Sequence, residues 1–479
     1  MLKKHDADAH HFILAEADIA KAHARGVKGR RNRYVGSPIE LKGKAIQMVV
    51  RDGCAWTAES GGVARKVELE TNKTLQIYKG HDGPVTTLDF YTPPPSDPSS
   101  PSSTYLITGA WDKHINVWNT KTKALVSSTL AHGDFVKKVL VIPELKLLVS
   151  AGSDKLVKLW DLSVLPPNAG DVPPGFTLPQ VGSLSAHTRP VEALAVDLSA
   201  PISSSKPMIL YTGDTMGIIK VWSLEPPENN STWRPILKGS LDGHRTGVTA
   251  MIVDQGIIWS GAYERLRLSF VESNKPLAFF CLSCAASLDS TVILQTFPPS
   301  IQYTPPPRIH HKYQCRAMLV LHLPPHSLSR PILLTGSADT IKIWDVSAFG
   351  EPGGEVEFLS AVDDGHWHDI TTMCVWLRDK KDEEGCVATK GKGKEVWIVS
   401  AGLDGTIRRW KLDALLSREV TIASEEDQGP REFIPQVDKE MQELSEFLEE
   451  LEAADAPTEE EVENADFGDL LEWSESEKA

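Results

Sequence analysis

Cysteine is scarce in this chain, with six among 479 residues, too few to build a disulfide framework over that length. Cys281 and Cys284 form one CxxC in the apolar stretch AFFCLSCAAS, but no second pair stands nearby at zinc-ligand spacing. Packing is therefore its expected role, not metal or redox chemistry. No apolar run approaches the roughly 20 residues of a membrane-spanning helix, and the start MLKKHDADAHHF lacks a secretory apolar core. The expectation is a protein of the cytoplasm, the nucleus or both, with no membrane attachment. The sequons Asn72-Lys73-Thr74 and Asn229-Asn230-Ser231 then carry no weight.

An even spread of charge is missing as well. The formal net charge is −15, yet residues 424–479 alone hold 21 acids against three bases, which leaves the remainder close to +3. Acidity is thus a property of the tail. Near the other end, AHARGVKGRRNR gathers Arg25, Lys28, Arg30, Arg31 and Arg33. With 41% hydrophobic residues the chain can bury a sizeable core, and its length points to two domains or one large repeat architecture.

What the sequence does contain is a repeat. ITGAWDKHINVWN, LVSAGSDKLVKLWDL, LYTGDTMGIIKVWSL, IWSGAYERLRLSFVE, LLTGSADTIKIWDV and IVSAGLDGTIRRWKL align as an apolar strand, a tight turn and an alternating strand. The last strand closes on Trp118, Trp160, Trp222, Phe270, Trp344 or Trp410. A histidine preceded by Gly or Ala comes before most copies: His81, His132, His187, His244 and His366. A degenerate copy, MVVRDGCAWTAESGGVARKVELETNKTLQIY, stands first with Val67 in place of the aromatic, making seven.

The pattern resembles the WD-repeat family, whose dipeptide is intact at Trp160-Asp161 and Trp344-Asp345, and the resemblance covers about residues 45–424. It implies an all-β fold, a seven-bladed β-propeller with a central channel. The organisation expected is a helical and basic extension over 1–44, the propeller over 45–424, and an acidic, partly helical tail over 425–479. The resemblance further implies that His, Ser or Thr, Asp and Trp of one repeat join in a buried hydrogen-bond chain. By position these are His81, Thr108, Asp112 and Trp118, then His132, Ser150, Asp154 and Trp160, then His366, Ser400, Asp404 and Trp410. A Ser, His and Asp together can pass for a hydrolase triad, but recurrence repeat after repeat argues for struts.

Other copies depart from the pattern. Repeat four has Met216 at the Asp position, repeat five has Glu264 with Phe270, repeat six has Asp339 one residue nearer its Trp344, and repeat one lacks the set. These are expected to be held mainly by apolar packing, so that Met216→Ala costs only lost contacts.

Insertions rich in Pro, Ser and charge follow Tyr91, Leu162 and Glu225 and surround APISSSKP and residues 379–395. Each falls on one side of the expected disc, leaving the side of the His loops and Asp turns compact; the path of 284–312 stays unassigned. In WD-repeat relatives the compact face takes peptides. Its candidate contacts are Trp111, Phe135, Arg189, Arg245, Tyr263 and Trp367, residue types that form binding hot spots when they stand on rigid turns.

Residues 5–24 read as a helix, followed by the basic cluster as import signal, phosphate patch or solvated surface. Val437, Met441, Leu444, Leu448 and Leu451 form a helical seam two heptads long, and the acidic segment after Pro457 carries Phe467, Leu470, Leu471 and Trp473 as partner anchors. Phe467 to Leu470 also resembles the motif that binds autophagy ubiquitin-like proteins. The reading is a non-catalytic interaction scaffold, monomeric on its own, without cofactor or metal, whose partners are proteins or peptides met by the compact face and the tail. A ribosome-assembly or RNA-associated factor is the alternative, with nucleic acid contacted only indirectly. A substrate receptor of a cullin-RING ligase is disfavoured because Ser163 and Ser347 stand where Trp-Asp-x-Arg has arginine.

Overall fold

The computed structural model describes residues 16–417 except 96–101, 168–171, 174, 197–206, 228–231, 255–256, 263–290, 297–307, 312, 323–330, 348–355, 364 and 380–393. One compact unit spans Val27–Ala423; Met1–Gly26 and Ser424–Ala479 group apart from it, and of these only 16–26, which are helical, are described.

Within the compact unit lie seven four-stranded antiparallel sheets, the blades of a β-propeller. The blades run 45–79, 85–130, 136–184, 191–242, 248–310, 315–362 and 370–411, in chain order. Second strands such as Leu147–Gly152 are buried at every position, because a neighbouring blade covers each face. Outer strands such as Leu125–Leu130 alternate between exposed and buried, the sign of one wet face. Composition agrees: LLVSAG is apolar or small throughout, LVSSTL is mixed.

Inner strands hold the ring together. Every one has a register shift between its first and third residues against its second strand, a bulge that adds local twist. At three of these bulges the intervening residue is a threonine that staples one blade to the next. Thr86 Oγ1 donates to Val136 O at 2.7 Å, Thr249 Oγ1 to Cys315 O at 2.7 Å and Thr371 Oγ1 to Ala45 O at 2.9 Å. The last joins blade 7 to blade 1 and closes the ring. Lys137 and Glu192 link blades 3 and 4 by an ion pair of 3.3 Å, and Asp89 Oδ2 accepts Val141 N across blades 2 and 3 at 2.7 Å.

The fourth strand of blade 7 comes from the other end of the chain. Ile39 and Glu40 pair with Ile407 and Thr406, so the two ends of the compact unit share one sheet. Arg408, 1% exposed, donates from Nη1 to Asn32 O at 2.8 Å and to Val35 O. Gly36 sits at φ +71°, and a Cβ there would lie 2.4 Å from Trp410 Cη2. Only glycine fits.

Three expectations change. The N-terminal helix runs Glu16–Arg31, so Arg25, Lys28, Arg30 and Arg31 stand in its last turns, where cations suit the helix dipole, rather than after it. The third strand of blade 5 is Thr291–Thr296, not the Glu264–Phe270 stretch, and pairs Ser260 with Ile293; Glu264 and Phe270 lie outside the described residues. Consequently 284–312 supplies the third and fourth strands of blade 5.

Gly36→Ala and Gly53→Ala separate backbone from packing, since both sites have φ near +70° but nothing lies within 4 Å of a Cβ at Gly53. The backbone cost is ~1 kcal/mol at each, and Gly36→Ala should lose ~1–3 kcal/mol more from overpacking on Trp410. Denaturant unfolding of the two variants reads the difference.

Candidate functional site

Four blades contain the same buried chain of hydrogen bonds. In blade 3, Trp160 Nε1 donates to Ser150 Oγ at 2.9 Å, Ser150 Oγ lies 2.7 Å from His132 Nε2, and His132 Nδ1 lies 2.9 Å from Asp154 Oδ1. The corresponding steps are 2.9, 2.8 and 2.7 Å for Trp118, Thr108, His81 and Asp112, and 2.8, 2.8 and 2.8 Å for Trp410, Ser400, His366 and Asp404. Proton direction is set by the two ends. Indole can only donate and carboxylate can only accept, so the hydroxyl donates to Nε2 and the imidazole carries its proton on Nδ1. Ser150 and Ser400 are 0% exposed, so a substrate cannot reach a nucleophile there.

Burial alone would raise the Asp404 carboxyl, but His366 and then Arg408 outweigh it and hold it at about 2. Asp112 and Asp154 are likewise lowered against burial, chiefly by the bonds from His81 and His132.

Blade 4 completes the same chain, contrary to the expectation of apolar packing. Asp214 supplies the carboxylate, with Oδ2 2.9 Å from His187 Nδ1, while His187 Nε2 is 2.7 Å from Thr212 Oγ1 and Trp222 Nε1 donates to Thr212 at 2.9 Å. Asp214 stands two residues after Thr212, where blade 3 has Gly152 two after Ser150. A Cβ on Gly152 would meet His132 Nδ1 at 2.6 Å and Asp154 Oδ1 at 2.7 Å. Glycine thus leaves the room that an Asp two residues on reaches back into, and in blade 4 the Asp grows from that spot directly. Its Oδ1 also accepts Met216 N at 2.9 Å, so one carboxylate caps the turn and Met216 is left 51% exposed.

Blade 1 also has a polar core. Glu59, two residues after Thr57, takes Arg65 in a two-pronged pair at 2.7 and 3.0 Å and Thr57 Oγ1 at 2.9 Å. Glu59 and Arg65 are 1% and 6% exposed. A buried charge pair replaces the His–Asp chain. In blade 5, His244 Nε2 lies 2.7 Å from Ser260 Oγ.

Blade 6 has all four residue types and an open chain. Its histidine is His311, four residues before strand residue Cys315, as His81 precedes Val85 and His366 precedes Ile370. The Gly or Ala before the other histidines hides it, whereas the constant step of four reveals it. Trp344 Nε1 still donates to Thr335 Oγ1 at 2.9 Å, but both His311 ring nitrogens are buried without a partner. The turn is two residues, Ala338 and Asp339, between the paired Ser337 and Thr340. Ala338 has φ +50° where such a turn favours glycine. Asp339 instead accepts Lys28 Nζ of the N-terminal helix at 2.5 Å.

On the compact face, Trp111 and Phe135 stack with ring centroids 4.9 Å apart at 15°, and they are 43% and 37% exposed. Backbone bonds fix both: Trp111 N donates to Pro84 O at 3.0 Å and Ser153 N to Phe135 O at 2.9 Å. Arg189 and Arg245 are exposed on the adjoining loops of blades 4 and 5. Trp367 is not open in the same way, because a Cβ on Gly29 would sit 3.4 Å from its ring, so the end of the N-terminal helix covers it. Tyr263, Phe467, Leu470, Trp473, the CxxC and the tail seam lie outside the described residues. Among the described residues no His, Cys, Asp and Glu set converges to hold a metal ion, and no helix is long and apolar enough to cross a membrane.

Asp214→Ala should therefore cost as much as Asp154→Ala, ~1–3 kcal/mol for the stranded imidazole, with Met216→Ala within ~0.5 kcal/mol of the parent; urea midpoints compare the three. His311 gives a second test. Burial first, then Lys342 and His310, lower it from 6.5 to about 3. Its folded form resists protonation, so its contribution is intact above pH 6.5 and is lost as pH falls from 6.5 towards 3. His311→Leu should be neutral or stabilising at about pH 7, with an advantage that grows on acidification through that window, whereas His132→Leu destabilises at neutral pH.

The description "WD domain, G-beta repeat" matches residues 72–119 and 124–161, parts of blades 1 to 3. An uncharacterised WD repeat-containing protein of Schizosaccharomyces pombe is 23% identical over 366 residues, 75% of each chain. Nuclear distribution protein PAC1 of Coccidioides posadasii is 27% identical over 38% of this chain and 37% of its own. Small ribosomal subunit protein RACK1y of rice is 33% identical over 18% and 23%. The alignments with PAC1 and RACK1y thus span well under half of those proteins. Seven four-stranded blades closed in a ring make the protein a β-propeller, and the recurring Trp–Ser/Thr–His–Asp chain, the WD repeats matched in blades 1 to 3 and this set of relatives make it similar to WD-repeat proteins.

Proposed function

We propose that the protein is a non-catalytic interaction scaffold of the cytoplasm or nucleus, and that the compact face of blades 2 to 5 is its main docking surface. The exposed Trp111–Phe135 stack carries this reading. Two large aromatic side chains on turns locked by buried hydrogen bonds offer apolar area with little conformational freedom left to lose on binding. Arg189 and Arg245 extend the patch and favour a peptide that presents a carboxylate beside an apolar side chain. The acidic tail, with Phe467, Leu470 and Trp473, serves as a second, separate handle for partners.

Association with ribosomal particles is the second reading, supported by the likeness to RACK1y over a short span and by the basic cluster Arg25–Arg33. Binding of that kind weakens steeply with salt.

Trp111→Ala/Phe135→Ala should lose partners that co-purify with the wild-type chain. Ile236→Ala/Leu237→Ala, on an outer strand where both are nearly half exposed, should keep them. Quantitative affinity purification of both variants checks this, and retention of every partner by the first variant would rule the patch out as the docking surface.

A further inference from the structure

Blade 6 is the only described blade in which an aspartate stands in the turn four residues after the strand hydroxyl and bonds to something other than its histidine. Asp339 is freed from that structural task while His311 remains buried and unpaired. Local rules of this kind are broken where function gains by it.

The seat around Asp339 is already filled. Lys28 Nζ reaches Asp339 Oδ2 at 2.5 Å and Asp363 O at 3.2 Å, and Gly29 lies flat against the Trp367 ring. The requirements of the seat can be read from its occupant: an ammonium held between a carboxylate and a carbonyl, then a small residue resting on the indole, where even a Cβ would already be in van der Waals contact at 3.4 Å. We propose that Asp339, the Asp363 carbonyl and Trp367 form a recognition site on blades 6 and 7 for a lysine-bearing peptide of a partner protein, and that residues 27–31 occupy it in cis.

The Lys28–Asp339 pair is open to water, unlike the anchors of the segment after it. Lys28 and Asp339 side chains are 25% and 28% exposed, and ion pairs so open to water contribute little. From Asn32 onward the chain is bolted down, by Arg408 to Asn32 O and Val35 O, by Arg409 N to Gly36 O at 2.6 Å, and by the paired strand Ile39–Glu40. Release of residues 27–31 would leave these anchors of blade 7 in place. Charge fits the assignment: the Asp339 carboxylate and the Asp363 carbonyl both face the ammonium, whereas Arg189 and Arg245 on blades 4 and 5 would repel a cation. The site is independent of the Trp111–Phe135 patch.

A fluorescein-labelled peptide with the sequence of residues 24–33 serves as probe against the full chain, read by fluorescence anisotropy. Lys28→Ala in the protein vacates the seat and should tighten peptide binding at least tenfold over wild type. Adding Asp339→Asn to that variant should abolish the gain, as should a peptide with glutamine for its lysine. Trp367→Ala in the Lys28→Ala background gives an independent reading should the Asp339 variant fold poorly, and melting curves monitor all forms. Equal affinity of wild type and Lys28→Ala, or binding indifferent to Asp339→Asn and Trp367→Ala, would overturn the proposal.

Discussion

The disc leans most on one buried hydroxyl in each of blades 2, 3, 4 and 7, set between an indole that can only give a proton and an imidazole that must take one. Ser150 shows why the arrangement is demanding. With no exposure to water it has no substitute partner, and any missing link strands a polar group at a cost of ~1–3 kcal/mol. Each chain also crosses the blade. It ties the inner-strand loop that carries His to the second strand that carries Ser or Thr, and these to the turn and third strand. Threonine staples at the inner bulges then pass the order from blade to blade.

Blades vary in how they satisfy that demand. Two residues after the strand hydroxyl lies a spot that is glycine in blade 3, aspartate in blade 4 and glutamate in blade 1. In each case the same small volume is filled by a carboxylate, reaching back from Asp154, growing directly from Asp214, or turned by Glu59 towards Arg65 in place of a histidine. Blade 6 alone among the described ones leaves its histidine without a partner and presents its aspartate to the N-terminal helix. The structural chain and the surface are thus linked: completing the polar core hides a carboxylate, and leaving it incomplete offers one.

The fold is legible in the sequence because the repeat signals are local: a hydroxyl, a turn and an aromatic at nearly fixed steps. The three chains named by position are joined in the structure as those steps imply. In blade 4 a fixed step points to Met216 instead of Asp214, and nothing in one repeat reveals the cavity over a glycine in another. In blade 5, ERLRLSF alternates like a strand and sits at the right step, yet the sheet takes TVILQT further on; local pattern cannot rank two such stretches when tertiary pairing decides. Trp111, Phe135, Arg189 and Arg245 stand out as turn residues of hot-spot type, but the stacking of the first pair needs three dimensions to be seen. So does the covering of Trp367 by Gly29, a contact between residues far apart in sequence.

The direction of the protons along each chain is where this picture is most open to test. Long-range nitrogen–proton NMR correlations on the full chain show which ring nitrogen of each histidine carries hydrogen. The Nδ1–H form is expected at neutral pH for His81, His132, His187 and His366, each proton held on its aspartate and slow to exchange. Nε2–H forms at those four positions would mean that the hydroxyls do not donate to the rings, and the chain as drawn from Trp to Asp would be wrong.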